Sequence, residues 1–268
     1  MKHYKINNYY SINQLGGNND LNIISYNVSW EAMTSSMFGN LKLCTNGICK
    51  SNILDNIVFN VKKYKPTFAL FQEASEHNDI IDLFNKDIYE NFVNTSDKEF
   101  MISIWNKIKF TLVKALGGEF EKGRPFAIII LKNNKNNKNI ALINLHAGHI
   151  PNTQLFIIDK INNFINNEFS HTIKKSITRV IMSGDYNRDI FEDNTSNYII
   201  KFNDEFKLKR TQNNNHTCCS ILGYGHKFNY DHVLDSKSNI IKKIVSNSVK
   251  QYKYPASDHV LIIVNLKN

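Results

Sequence analysis

The chain has 268 residues, 42% of them hydrophobic, enough to bury a substantial core as one large domain. Its net charge of +9 fits a polyanionic partner such as nucleic acid or an anionic lipid surface, and it equally fits lysines scattered over solvated faces. No apolar run reaches the about 20 residues that cross a bilayer, and the polar N-terminus lacks a signal-peptide core, so an intracellular protein, cytoplasmic or nuclear and without a transmembrane segment, is expected.

Residues 1–20 are polar and asparagine-rich, and they read as an irregular segment ahead of a single domain over 21–268. Leu21 to Tyr26 is an apolar run of strand length that ends in Ser25-Tyr26-Asn27. A long segment follows, Ser29 to Lys50, carrying Trp30, Glu31, Met33 and Phe38. The spacing of Ile53, Ile57, Val58 and Val61 predicts a helix over Ser51 to Tyr64, which Pro66 ends. Phe68 to Phe71 then runs into Gln72-Glu73, and Asp79 to Phe84 reads as a second helix.

β-rich pieces come next, at Met101 to Trp105, Phe110 to Leu116 and Pro125 to Leu131. Lys132 to Asn139 is a low-complexity Asn/Lys loop, most simply a long hairpin turn. Ile140 to Leu145 runs into Asn144-Leu145-His146. Leu155, Ile158, Ile161, Phe164 and Ile165 share one face of a helix over Thr153 to Phe169. Val180 to Met182 leads to Gly184-Asp185-Tyr186-Asn187, and Thr195 to Phe202 reads as a weaker helix. Finally Tyr230-Asp231-His232 opens onto Val233-Leu234, and Ser257-Asp258-His259 onto Val260 to Val264. Helices between strands of mixed direction indicate an α/β or α+β sandwich in one layered domain.

Each polar signature thus sits at the edge of an apolar run. If the first four runs leave a sheet at one edge and the last two enter there antiparallel, all the signatures meet in one pocket. Glu73, Asp185, Asp231 and Asp258 would then repel one another, so a positive group must compensate them or one must be protonated. Oxygen donors without a Cys/His set point to magnesium or manganese rather than zinc. Glu73 is the leading ligand, with Asn27 offering an oxygen to the metal or an amide to a phosphate. Cys44, Cys49, Cys218 and Cys219 fit no standard zinc spacing, and free thiols in a reducing compartment are expected.

The ordered series Tyr26-Asn27, Gln72-Glu73, Leu145-His146, Gly184-Asp185-Tyr186-Asn187, Asp231-His232-Val233-Leu234 and Ser257-Asp258-His259 resembles the endonuclease/exonuclease/phosphatase (deoxyribonuclease I-like) superfamily. The resemblance runs from about Leu21 to Leu266. It implies a four-layer α/β sandwich of two packed mixed β-sheets flanked by helices, and metal-dependent hydrolysis of a phosphoester. Glu73 would bind the metal with help from Asn27, and Asp258 would lie beside it. Asp185 would position or deprotonate the attacking water, and Asn187 would hold a phosphate oxygen. His259 would stabilise the phosphoryl charge, its ring oriented by Asp231.

His146 resembles the nucleases of the deoxyribonuclease I type, the deadenylases and the phosphatases more than the apurinic endonucleases. Arg124 is the preferred phosphate clamp; Arg188 reads equally as a salt-bridge partner of Asp189 or Glu192, and His149 equally as a loop histidine. In relatives a Thr followed by aromatics often precedes Asp231, whereas here Thr217 is followed by Cys218 and Cys219. Trp30 and Tyr224 could stack on bases, with packing the default for both.

The resulting expectation is a monomeric, magnesium-dependent phosphodiesterase, with manganese as the alternative ion, acting on nucleic acid as a nuclease or a tyrosyl-DNA phosphodiesterase-like enzyme. An inositol-phosphate phosphatase or a sphingomyelinase-like phospholipase of the same superfamily is the runner-up. A catalytically silent binding protein comes last, since no expected Glu, Asp or His is missing.

Overall fold

The protein is described by a computed structural model over residues 20–34, 47–97, 99–149, 153–188, 198–202, 205–210, 216–218, 228–237, 240–245 and 256–267. The first half comprises β1 (Leu21–Asn27), α1 (Trp30–Thr34), α2 (Ile48–Tyr64), β2 (Phe68–Gln72), α3 (His77–Ile81), β3 (Tyr89–Ser96), β4 (Glu99–Asn106) and β5 (Phe110–Glu121). Then come β6 (Arg124–Asn133), β7 (Asn139–His146), α4 (Thr153–Glu168), α5 (His171–Ser176), β8 (Ile177–Asp185), β9 (Tyr198–Lys201) and β10 (Glu205–Arg210). The chain finishes with β11 (Asp231–Asp235), β12 (Ile240–Val245) and β13 (Ile262–Leu266).

Two mixed sheets result, in the orders β12-β13-β1-β2-β4-β3 and β5-β6-β7-β8-β11-β10-β9. Period-two alternation sends each strand's side chains to two different layers. Ile23 of β1 points between the sheets, where it joins Leu70, Trp105, Ile129, Leu142 and Ile181. Its neighbours Ile24 and Tyr26 take the outer face and meet Ile53 and Ile57 of α2. On the other sheet Ile128, Ile130 and Ile143 meet Ile157, Ile161 and Ile165 of α4. These strands are buried on both faces, which is why they read as unbroken apolar runs. The layers are helix, sheet, sheet, helix, and each fully buried aliphatic side chain contributes about 1.5–3 kcal/mol.

Strand direction decides where the polar ends go. β1 runs parallel to β2, and β7 parallel to β8. β13 is antiparallel to β1, and β11 is antiparallel to β8 with Asp231 opposite Asp185. The ends of β1, β2, β7 and β8 therefore share one edge, here the upper edge, with the starts of β11 and β13. Helix α2 stops where expected: Lys65, at φ 44, closes it by donating its N–H to the Val61 carbonyl, and Pro66 cannot continue it.

Three expectations need correction. The stretch read as a weak helix over Thr195 to Phe202 contains strand β9, antiparallel to β10; residues 195–197 lie outside the described residues. Tyr198 and Ile200 are buried two residues apart, so the period is that of a strand. Strands β3, β10 and β12 and helices α1 and α5 were not anticipated. Nor are the cysteines free thiols: Cys49 and Cys218 are both disulfide-bonded, while Cys44 and Cys219 lie outside the described residues. Spacing along a chain says nothing of which sulfurs meet in space. Disulfide-bonded Cys49 and Cys218 give no support to a reducing compartment. The N-terminal segment 1–19, Tyr224 and the partners named for Arg188 also lie outside the described residues.

Candidate active site

Asn27, at the end of β1, ties the two sheets together at the upper edge. Its amide Nδ2 donates to Glu73 Oε1 at 2.8 Å and to Asp185 Oδ2 at 2.9 Å. Its oxygen accepts the Ser29 N–H at 2.9 Å, so Asn27 meets the carboxylates as a donor rather than offering its oxygen. Glu73 follows β2 directly. Its second oxygen accepts the Trp30 N–H at 2.8 Å, and its backbone takes φ 55, a left-handed conformation that a non-glycine residue holds only where its surroundings fix it. Burial pushes this carboxyl up, but His146, the Trp30 N–H, Asn27 and His259 outweigh burial and hold it below the ordinary range.

Asp185 occupies the centre of the site. Its Oδ2 lies 3.7 Å from His146 Nε2 and 3.5 Å from His259 Nε2, so one carboxylate faces two imidazoles. Each ring is backed by a second buried carboxylate. His259 Nδ1 is 2.9 Å from Asp231 Oδ2, and His146 Nδ1 is 2.5 Å from Glu99 Oε1. Burial alone would favour neutral rings, yet Asp231 and Asp185 drive His259 well upward, and Glu99, Glu73 and Asp185 raise His146. Asp185 moves the other way: burial raises it, but the two imidazoles, the Asn187 N–H and Asn27 keep it ionised.

The remaining expected residues fall around this core. The Asn187 N–H donates to Asp185 Oδ1 at 2.7 Å, while its side-chain amide donates to the Ala147 carbonyl at 2.6 Å. That amide is therefore occupied by the protein's own backbone. Arg124, at the start of β6, brings Nη1 to 3.0 Å from His146 Nε2 and 3.5 Å from Glu99 Oε2. Asp258 lies against the Ser257 hydroxyl at 3.5 Å, and that hydroxyl also donates to the Asn27 carbonyl. Asp258 is pushed up by burial and by Glu73 and Asp185. His149 is exposed, and burial of part of its ring and Arg124 hold it down.

Sequence reasoning missed Glu99. It opens β4, which runs antiparallel to β2, so its first residue reaches the same edge. The signal was a charged residue entering the apolar run at Met101. The contact of Cys218 Sγ with His259 Nε2 at 3.3 Å was also unforeseen. Gln72 and Asn144, both inside the signatures, do not enter the pocket: Gln72 Nε2 donates to Asn144 Oδ1 at 2.7 Å, joining one sheet to the other.

Ligand atoms of Glu73, His146 and Asp185 lie within 4.8 Å of one another, as do those of Asp185, Asp231 and His259. The donor set fits a hard divalent cation at Glu73. Half-buried Glu31 is pushed up to about 7 by burial and by Asp258 and Glu73, so negative charge is crowded here and a cation would relieve it.

No family model matches the sequence. An uncharacterised protein of Acanthamoeba polyphaga mimivirus is 27% identical over 265 residues, covering 90% of this chain, and the chain spans 49% of that relative's length. Among solved structures, an endonuclease/exonuclease/phosphatase from Bacteroides vulgatus superposes with a TM-score of 0.66 at 14% identity, over 92% of this chain and 98% of its own. The human Nocturnin catalytic domain, solved with a bound sulfate anion, gives 0.65 at 12% identity over 92% and 93%. D. rerio TDP2, complexed with a single-strand DNA product, gives 0.64 at 15% identity over 93% and 99%. The two-sheet sandwich seen here is thus the fold of the endonuclease/exonuclease/phosphatase superfamily.

Proposed function

We propose that the chain is a phosphodiesterase that hydrolyses nucleic acid with magnesium or manganese. The observation that carries this reading is Asp185 set between two imidazoles, each held by its own buried carboxylate. Hydrolysis of a phosphodiester needs a proton taken from water and another given to the leaving oxygen, and two imidazoles facing one carboxylate suit both tasks. Asp185 receives or orients the water proton. His259 meets the developing charge on the phosphoryl oxygens, with Asp231 fixing its ring. His146, backed by Glu99, stands ready to supply the leaving oxygen, and Arg124 clamps a phosphate oxygen in a direction its planar fork suits.

Glu73, with Asp258 beside it, would hold the cation, whose contribution when bound is charge neutralisation on the phosphate. Asn27 supports that role by holding Glu73 and Asp185 in register. Asn187 sets the Asp185 carboxylate through its N–H, and its amide would have to leave Ala147 to reach a phosphate. The net charge of +9 and the single-strand DNA product bound by the D. rerio TDP2 structure favour a nucleic-acid substrate.

A substrate panel decides it. Labelled DNA and RNA, a 5′-tyrosyl oligonucleotide, inositol polyphosphates and sphingomyelin are each incubated with magnesium and with chelator. Cleavage of the polynucleotides in magnesium alone is expected. Activity confined to the inositol or lipid substrates would refute the nucleic-acid assignment. Glu73→Gln and His259→Ala should each lose about 10²–10⁴ in turnover, and wild-type rates in both would refute the site itself.

A further inference from the structure

Charge is divided between the two edges of the sandwich. Among the described residues of the upper edge, Lys50 pairs with Asp79 at 2.5 Å, Lys122 with Asp97 at 3.7 Å and Arg124 with Glu99 at 3.5 Å. The lower edge, where β2, β5, β7 and β8 start and β4, β6 and β11 end, is lysine-rich. Lys107 and Lys109 occupy the β4–β5 turn, Lys132 and Lys138 flank the β6–β7 loop, and Lys237 follows β11; all are exposed. None of these five forms an ion pair among the described residues.

These lysines are held together rather than merely scattered. Asn134 of the β6–β7 loop donates its side-chain amide to the Ile108 carbonyl at 3.0 Å, and its N–H to the Lys109 carbonyl at 2.9 Å. One turn is thereby fixed to the other across the two sheets. Below them Arg179 is locked to Asp235 by bonds of 2.8 and 2.9 Å, which consumes the one buried acid nearby. Lys237 is pushed down by burial and then by Arg179 and Lys138, as expected of cations crowded together. From β5 across β6, β7 and β8 to β11 is four strand spacings, about 20 Å.

We propose that this lysine ledge is a nucleic-acid-binding surface, separate from the carboxylate site, that holds the phosphate backbone of a polynucleotide without reading its bases. Lysines are point charges that attract phosphates with little geometric demand, which suits positioning rather than sequence readout. A lipid surface fits less well. Ile108 is the one large apolar side chain exposed in these turns, and interfacial insertion needs a broad apolar face. The proposal stands on the ledge alone and does not require the phosphodiesterase reading.

The test is fluorescence anisotropy of labelled single-stranded and duplex oligonucleotides in chelator, where metal-dependent turnover cannot interfere. The variant combines Lys107→Glu, Lys109→Glu, Lys132→Glu and Lys138→Glu. Its affinity should fall by at least about tenfold at low salt, and the slope of log affinity against log salt for duplex should shrink by up to about 3.6, since each lost phosphate contact removes about 0.9. Lys114→Glu with Lys160→Glu, away from the ledge, should bind like wild type. The corresponding Lys→Gln set, with far-ultraviolet circular dichroism, controls for folding. Unchanged nucleic-acid binding by a folded ledge variant overturns the proposal, as does ledge-dependent binding seen only with phosphatidylserine vesicles. Ledge-dependent binding in a chain that cleaves no phosphodiester would support the ledge and refute the phosphodiesterase reading.

Discussion

Gly184, at φ 147, lies where β8 passes β7 so closely that an added Cβ would fall well inside contact distance of the Leu145 carbonyl oxygen. Glycine is required there by space as well as by backbone angle, and Asp185 depends on it to reach the centre of the site. Gly184→Ala should destabilise the fold by about 3 kcal/mol or more, read as a lowered midpoint in urea; an unchanged midpoint would mean the two strands can part freely. Glu31 makes the opposite kind of residue-scale case. Its carboxyl is raised from 4.5 to about 7, so between those values the folded chain holds a proton the unfolded chain has lost. Stability from this group is therefore lost as pH rises through that window. In chelator, Glu31→Gln should raise the melting temperature relative to wild type at pH 8 and leave it near wild type below pH 4.5. A gain of equal size at both ends would mean that titration plays no part.

At the scale of elements, the amide pair Gln72–Asn144 fastens β2 to β7 beneath the site, and Asn144 also donates to the Ile102 carbonyl at 3.0 Å and Ser103 Oγ at 3.2 Å. Asn144→Leu strands the buried Gln72 amide and should cost about 1–3 kcal/mol in chemical denaturation, whereas Gln72→Leu with Asn144→Leu should cost less than the sum of the single changes. Strict additivity would show that the two amides do not act as a pair. The same pair explains a limit of the sequence. Polar residues at strand ends announced that β1, β2, β7, β8, β11 and β13 share an edge, but not which of them face the pocket and which join the sheets. Strand β9 was hidden because four residues, with only Tyr198 and Ile200 inward, give too short a period to separate from a helix. Glu99 was hidden because it stands as a lone acid before its apolar run, without the Ser, Asp or His neighbours that mark the entries at Asp231 and His259.

Over the whole molecule, the central strands were legible because burial on both faces leaves an unbroken apolar run, and the site was legible because its polar residues interrupt those runs at one end. The lysine ledge depends on which distant segments meet, and local pattern carries no trace of that. The assembled edge has one further consequence. Glu31, Glu73 and Asp258 come from segments that meet only in the folded chain, and Glu31 and Asp258 are pushed up by the charge around them. A cation held at Glu73 relieves that crowding in the folded state alone, so magnesium should stabilise the whole domain by linkage. At about 100 times its dissociation constant the gain is about 2.7 kcal/mol, which for a chain of this size is a rise of about 5–10 °C in melting temperature over the same protein in EDTA. Glu73→Gln should remove most of that rise, measured against the same variant's own melting temperature in EDTA. A wild-type chain that melts identically with magnesium and with EDTA would place the cation elsewhere or nowhere, whatever its activity.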